Sequence, residues 1–260
     1  MGSFGIGGQQ MKTAVIGVGA LGASILAKLM NDGIEIEGWS RSGPRKTSLD
    51  ATVSRSEILI STLSGALTLC QVLDDLDIRG KTIISFSSAT RVQTQELNEW
   101  VTARGALLID AKFYGVPAML GTDYATIFFS GHCTLAVRRL LTVLAPKKIY
   151  DLGLSVGQAA TLDAAVLAVF YGAMTGFAQG KALCSSAGAA SGAVFEKVLL
   201  GIFEPHFLSY LSSTIDDRGH LAEGSQQETS NKVHRSALKM LQKFTAELQM
   251  DPKLFQESSN

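Results

Sequence analysis

Apolar positions in the first 150 residues fall into short runs separated by amphipathic stretches. The runs at 12–16, 34–39, 57–62, 82–86, 106–110 and 124–130 are rich in Val, Ile, Leu and Phe and read as strands. Between them, residues 20–31, 65–76, 92–103 and 133–144 carry apolar side chains at helical spacing. Such alternation predicts a parallel sheet with helices on both faces. The stretch before the run at 57–62 is short and broken by Gly43-Pro44, so a trimmed crossover is expected there.

After Gly153 the pattern changes. Residues 155–184 read as one Pro-free helix, about 45 Å long at 1.5 Å per residue. It is apolar nearly all round, which predicts a helix buried on all sides. Its uncharged part, 164–180, falls short of the roughly 20 apolar residues that span a bilayer. Ala160, Ala164, Ala168, Gly172, Gly176 and Gly180 form a ridge of small residues that another helix can approach closely, within the chain or from a second copy. Further helices are expected near 192–215 and 225–248, joined by Asp216-Asp217-Arg218-Gly219, with a polar tail from Asp251.

Composition narrows the partners. Formal net charge is zero and 18% of residues are charged, which argues against a nucleic acid or other polyanion. Cys70, Cys133 and Cys184 are widely spaced and read as reduced thiols of a cytoplasmic protein. His132, His206, His220 and His234 lack ligand spacing, so no metal is expected. Residues 1–10 lack the features of a signal peptide and read as a leader, with Met11 the expected native start.

Candidate chemistry begins where the first strand ends. Ala14-Val15-Ile16 runs into Gly17-Val18-Gly19-Ala20-Leu21-Gly22 and then a helix. Gly17 suits the tight turn, Gly19 the approach of a pyrophosphate, and Gly22 close packing of helix on strand. The helix start presents N–H groups and a positive dipole end to phosphate. This is the dinucleotide-binding signature of a Rossmann domain. About twenty residues on, an NAD site carries an acidic residue for the ribose 2′-hydroxyl. Here the strand ending at Trp39 delivers Ser40-Arg41-Ser42, with Arg45 and Lys46 close behind. Arginine and short hydroxyls suit a 2′-phosphate, so NADPH is the expected cofactor. Glu37 is the competing ribose partner, and an ordinary basic loop is the plainer reading. Cofactor contacts are expected from Gly17, Gly19, Ala20, Leu21, Gly22, Ser40, Arg41, Ser42, Arg45, Leu63, Ser64, Ser87 and Ser88.

Two common reductase solutions are missing: there is no Tyr-x-x-x-Lys pair and no Cys/His set for catalytic zinc. The long helix carries Gly157-Gln158-Ala159-Ala160-Thr161-Leu162-Asp163 near its start. A carboxylate in an otherwise uncharged apolar stretch is costly to bury ionised, which makes Asp163 the leading candidate for moving a proton or balancing a cation. A helix N-cap or a structural carboxylate is the plainer alternative. Tyr171, two turns on, is a second candidate donor or an ordinary core aromatic. Lys112, read as lying on a loop after the strand ending at Asp110, is the runner-up acid, and Tyr114 can also face the cofactor.

Several segments resemble the imine reductases, within the β-hydroxyacid dehydrogenase superfamily. Trp39-Ser40-Arg41-Ser42 is similar to their Trp-Asn-Arg-Thr, and Ser85-Phe86-Ser87-Ser88-Ala89-Thr90 to Asn-Leu-Thr-Ser-Gly-Thr. Asp110 through Gly121, with Pro117-Ala118-Met119-Leu120-Gly121, resembles their Asp-Gly…Pro-Pro-Met-Ile-Gly segment. The hydroxyacid enzymes carry Gly-x-x-x-Lys-x-x-Asn on the long helix. Here Thr161 stands at the lysine and Ala164 at the asparagine, while Asp163 stands where imine reductases place aspartate or tyrosine.

The resemblance implies an α/β fold: an N-terminal Rossmann domain (11–152), a long interdomain helix (153–184) and an all-α C-terminal domain for dimerisation and substrate (185–260). It also implies NADPH-dependent reduction of a cyclic imine or iminium ion, with Asp163 as proton donor or stabilising carboxylate. An interlocked homodimer, no membrane and a place in secondary metabolism complete the expectation. A carbonyl reductase and an inactive NADP-binding protein are the rivals.

Overall fold

The computed structural model describes residues 11–41, 48–186, 194–199 and 201. The first apolar run forms β1 (Thr13–Ile16), buried throughout, and the glycine motif turns it into α1 (Ala20–Asn31). Then follow β2 (Ile36–Trp39), α2 (Leu49–Arg55), β3 (Ile58–Ser61), α3 (Ala66–Leu73), β4 (Thr82–Ser85) and α4 (Arg91–Ala103). After them come β5 (Leu107–Tyr114), a 3-10 turn at Pro117–Met119, β6 (Thr126–Gly131), α5 (Leu135–Leu144), β7 (Lys148–Asp151) and α6 (Gln158–Ser186). Hydroxyl side chains start three helices: Ser48, Thr90 and Thr134 each accept a first-turn N–H, and Gln93 returns the bond to Thr90.

The strands form one sheet in the order β2-β1-β3-β4-β5-β6-β7. Period-two alternation divides its side chains between two apolar layers. Val15, Ile58, Ile60, Ile84 and Ile109 pack with α1 and α5, whereas Ala14, Ile16, Leu59, Ile83 and Leu108 pack with α2, α3 and α4. The trimmed crossover is α2, a helix of seven residues.

Three expectations need correction. The first five strands are parallel, but β6 runs antiparallel to β5, so the sheet is mixed. Its pairing, Ile109↔Gly131 through Tyr114↔Thr126, draws β5 four residues beyond the expected end at Asp110 and makes Lys112 a strand residue. β7 was not anticipated; its edge position leaves most of it exposed, and an exposed strand carries little apolar alternation.

The third correction concerns α6. Although Gln158–Cys184 is long and apolar enough to cross a membrane, only Ala159, Ala160 and Gln179 of that stretch are buried within the chain. Val169, Phe170, Tyr171 and Met174 are all more than half exposed. Hydrophobicity identified the helix without identifying what covers it. Its first turn, by contrast, is built into the sheet domain through hydrogen bonds described below.

The chain forms two compact units, Met1–Ala168 and Val169–Asn260. In the second, Phe177 and Phe195 lie 5.6 Å apart and Lys181 pairs with Glu196 at 3.1 Å. A Cβ on Gly180 would fall 2.6 Å from the Phe195 ring, so the small-residue ridge is used inside the chain at that point. Gly172 and Gly176 have open space beside them. The helices expected near 192–215 and 225–248 lie almost wholly outside the described residues, within which 194–199 are helical.

Candidate active site

Register aligns Trp39, Ile16, Ser61 and Ser85, the last residues of β2, β1, β3 and β4, with Asp110 of β5 in one row across the sheet. Ligands of such sheets bind beyond this edge. At its centre Gly17 adopts φ +100° and its N–H donates to the Trp39 carbonyl at 2.8 Å. A Cβ on Gly22 would overlap the Gly17 carbonyl oxygen and lie 2.6 Å from Thr62 Oγ1. Thr62 Oγ1 donates to that same carbonyl, locking β3 to the turn.

Gly19 caps α1 without a side chain and has no atom within 4 Å of a notional Cβ, which leaves the approach to the helix start clear. Ala20 and Leu21 open the first turn, whose N–H groups have no partner within the helix.

The other expected contacts surround this cradle. Leu63 closes on Gly17, 2.9 Å from a notional Cβ, and Ser64 is exposed in the same loop. Ser40 is half-buried and Arg41 exposed at the end of β2. Ser42 and Arg45 lie outside the described residues. Ser88 is exposed after β4, whereas Ser87 is buried and its hydroxyl has no partner among the described residues. The glycine turn thus leaves a helix start open, Arg41 puts a cation at the end of β2, and Ser87 holds a buried hydroxyl without a partner among the described residues. They fit an NADP-type dinucleotide.

A second group lies where β5 meets α6. Lys112 Nζ donates to Asp110 Oδ1 at 2.6 Å and to the Ser87 carbonyl at 2.8 Å, both side chains being buried. Asp110 Oδ2 accepts the Ala160 N–H at 2.9 Å, and Ser130 Oγ accepts the Ala159 N–H at 3.2 Å. Lys112 is therefore neither a loop residue nor solvated; its ammonium is engaged inside the fold.

Beyond it on β5, the Tyr114 hydroxyl donates to Asp163 Oδ1 at 2.8 Å and approaches the Asp163 carbonyl at 3.3 Å. The Tyr114 ring stacks on Phe128 at 5.5 Å between centroids. Asp163 is half-buried and sixth in α6, too far along to be an N-cap. Thr161 Oγ1 donates to Gly157 O at 3.0 Å, satisfying it inside its own helix. Tyr171 belongs to the second unit, exposed and edge-on to Phe170.

Three features were not anticipated: the Thr62 bond to the glycine turn, the Asp110–Lys112 pair, and Tyr114 as the partner of Asp163. The one usable signal was β5 itself. Continued alternation would have placed Asp110, Lys112 and Tyr114 on one face.

Residues 155–256 match the C-terminal domain family of NADPH-dependent reductive aminase-like proteins. An NADPH-dependent reductive aminase of Aspergillus oryzae is 28% identical over 236 residues, covering 81% of this chain and 78% of that protein. The structure of a reductive aminase from Aspergillus terreus with NADPH and ethyl levulinate superposes with a TM-score of 0.78 at 25% identity, over 95% of this chain and 90% of the other. An imine reductase from Myxococcus stipitatus in complex with NADP+ shares the fold, with a TM-score of 0.80 at 20% identity over 94% and 90% of the two chains.

Proposed function

We propose that this chain is a member of the imine reductase family, an NADPH-dependent oxidoreductase acting on the C=N bond of a cyclic imine or iminium ion. The observation that carries the reading is the carboxylate of Asp163, which stands two residues after Thr161 and is held at 2.8 Å by Tyr114. A hydroxyacid dehydrogenase of this superfamily needs a lysine at the Thr161 position, and threonine cannot replace it as an acid or base at neutral pH.

Bound NADPH supplies a hydride for the imine carbon. What remains for the protein is the nitrogen, which in a neutral imine must end with one more proton and in an iminium ion already carries the positive charge. Tyr114 holds Oδ1 of Asp163, so Oδ2 is the oxygen presented to substrate. As the acid, Asp163 gives its proton to the nitrogen; as the carboxylate, it balances an iminium charge, and the iminium is the better hydride acceptor. Gly17, Gly19 and Gly22 shape the pyrophosphate cradle, and Arg41 with Ser40 meets the 2′-phosphate.

The test is cofactor oxidation against a panel of cyclic imines, the matching ketones and 2-hydroxy acids. NADPH is expected to be consumed with imines and preferred to NADH. Arg41→Ala should weaken NADPH binding roughly tenfold or more, the value of a charge-assisted hydrogen bond, while leaving NADH nearly unchanged. Turnover confined to hydroxy acids, or a preference for NADH that survives Arg41→Ala, would overturn the assignment.

A second copy of the chain is the proposed cover for the exposed apolar surface of α6, through Phe170, Tyr171, Met174 and the open flank of Gly172 and Gly176. Sedimentation should give about twice the 27.6 kDa chain mass. A monomer at micromolar concentration, or recovery with membranes, would contradict it. The free thiols Cys70, Cys133 and Cys184 support a reducing, cytoplasmic setting.

A further inference from the structure

The Asp110–Lys112 pair is shielded from water almost completely, with side chains 2% and 6% exposed. Burying two charges costs more than their attraction returns unless the remaining donors and acceptors are also filled. Here two other segments each supply a further partner. Lys112 reaches the Ser87 carbonyl at 2.8 Å, and Asp110 Oδ2 takes the Ala160 N–H at 2.9 Å. The pair thus bridges the loop after β4 and the first turn of α6. An apolar pair could keep β5 in its sheet, but it could not make that bridge.

Both ends of the bridge lie beside the proposed chemistry. Ser87 and Ser88 are expected cofactor contacts, and Ala160 precedes Asp163 by three residues. We propose that Asp110 and Lys112 are positioning residues for C=N reduction. They fix the separation between the Ser87–Ser88 loop and the first turn of α6, one turn before Asp163, an inference that rests on the function proposed above. Lys112 is accordingly a strut rather than an acid.

Comparison of K112M with D110N/K112M separates positioning from charge balance. K112M leaves a buried carboxylate unpaired and should lower Tm or prevent folding. In D110N/K112M both charges are gone, and Asn Oδ1 can still accept the Ala160 N–H, so Tm should return close to wild type. Its kcat should nevertheless stay about 10- to 100-fold down with KM for the imine little changed, because the reacting groups are misplaced rather than unbound. Recovery of kcat together with Tm would overturn the proposal.

Hydrogen exchange supplies a readout apart from turnover, and in the wild-type chain it needs no variant to fold. NADPH should slow amide exchange at residues 87–89 and also at 158–163; in D110N/K112M the first effect should persist and the second should be lost. If NADPH binds and imines turn over while exchange at 158–163 is unchanged in wild type, the bridge is overturned and the function stands. If NADPH does not bind at all, both are overturned.

Discussion

Asp163→Asn is expected to lower kcat for a neutral cyclic imine by about 10²-fold or more, the range lost with a positioned general acid, while NADPH binding changes little. Asparagine has the same shape, and the Tyr114 hydroxyl can still donate to its Oδ1 across the 2.8 Å contact. Placement is retained; the acid and the charge are removed. An N-methylated iminium ion then distinguishes the two roles, because it needs a hydride and no proton. If Asp163 donates the proton, Asp163→Asn spares the N-methyl substrate. If the carboxylate balances positive charge, both substrates slow together. Unchanged turnover of the neutral imine would remove Asp163 from the mechanism.

The second large effect is expected at the glycine turn. Gly22→Ala would push a methyl group into the Gly17 carbonyl and to 2.6 Å from Thr62 Oγ1. Rotating a side chain cannot relieve a collision with backbone, so α1 must shift away from β1. Overpacking of this kind costs about 1–3 kcal/mol. For a protein of this size that lowers Tm by roughly 2–12 °C. NADPH affinity should fall steeply, since the moved segment is the proposed pyrophosphate cradle. Gly19→Ala is the control: the space beside Gly19 is open, so Tm should hold and only cofactor binding should suffer. Wild-type NADPH affinity in Gly22→Ala would place the dinucleotide elsewhere.

How much of this was legible depended on how local each signal is. The run from β1 through the glycines into α1 is contiguous, and the helix lies at 20–31 as the spacing predicts. Strand direction is not local. Nothing in the alternation of 124–130 says whether that strand runs with or against its neighbour. A lysine at the centre of Ala111-Lys112-Phe113 hid the continuation of β5, because buried lysines are rare and this one is paired only in three dimensions.

The candidate site divides in the same way. Asp163 was visible as an isolated carboxylate in an apolar helix. Its partner Tyr114 is 49 residues away, and Asp110 is 50 residues from Ala160, too distant for any spacing rule. For α6 the sequence revealed greasiness but could not say which surface shields it.

One strand carries more of this site than its length suggests. Asp110, Lys112 and Tyr114 stand at alternate positions of β5, about 6.7 Å apart along one face at the usual rise per residue. The strut and the partner of Asp163 therefore share a single reading frame. Point changes at Ala111 or Phe113 can retune the opposite layer without disturbing that frame. Deleting or inserting one residue upstream of Asp110 would turn all three side chains to the other face at once. Divergent copies of this chain should accordingly vary in the loop lengths on either side of β5 while keeping its residue count, and a search for altered substrate range should leave the length of β5 untouched.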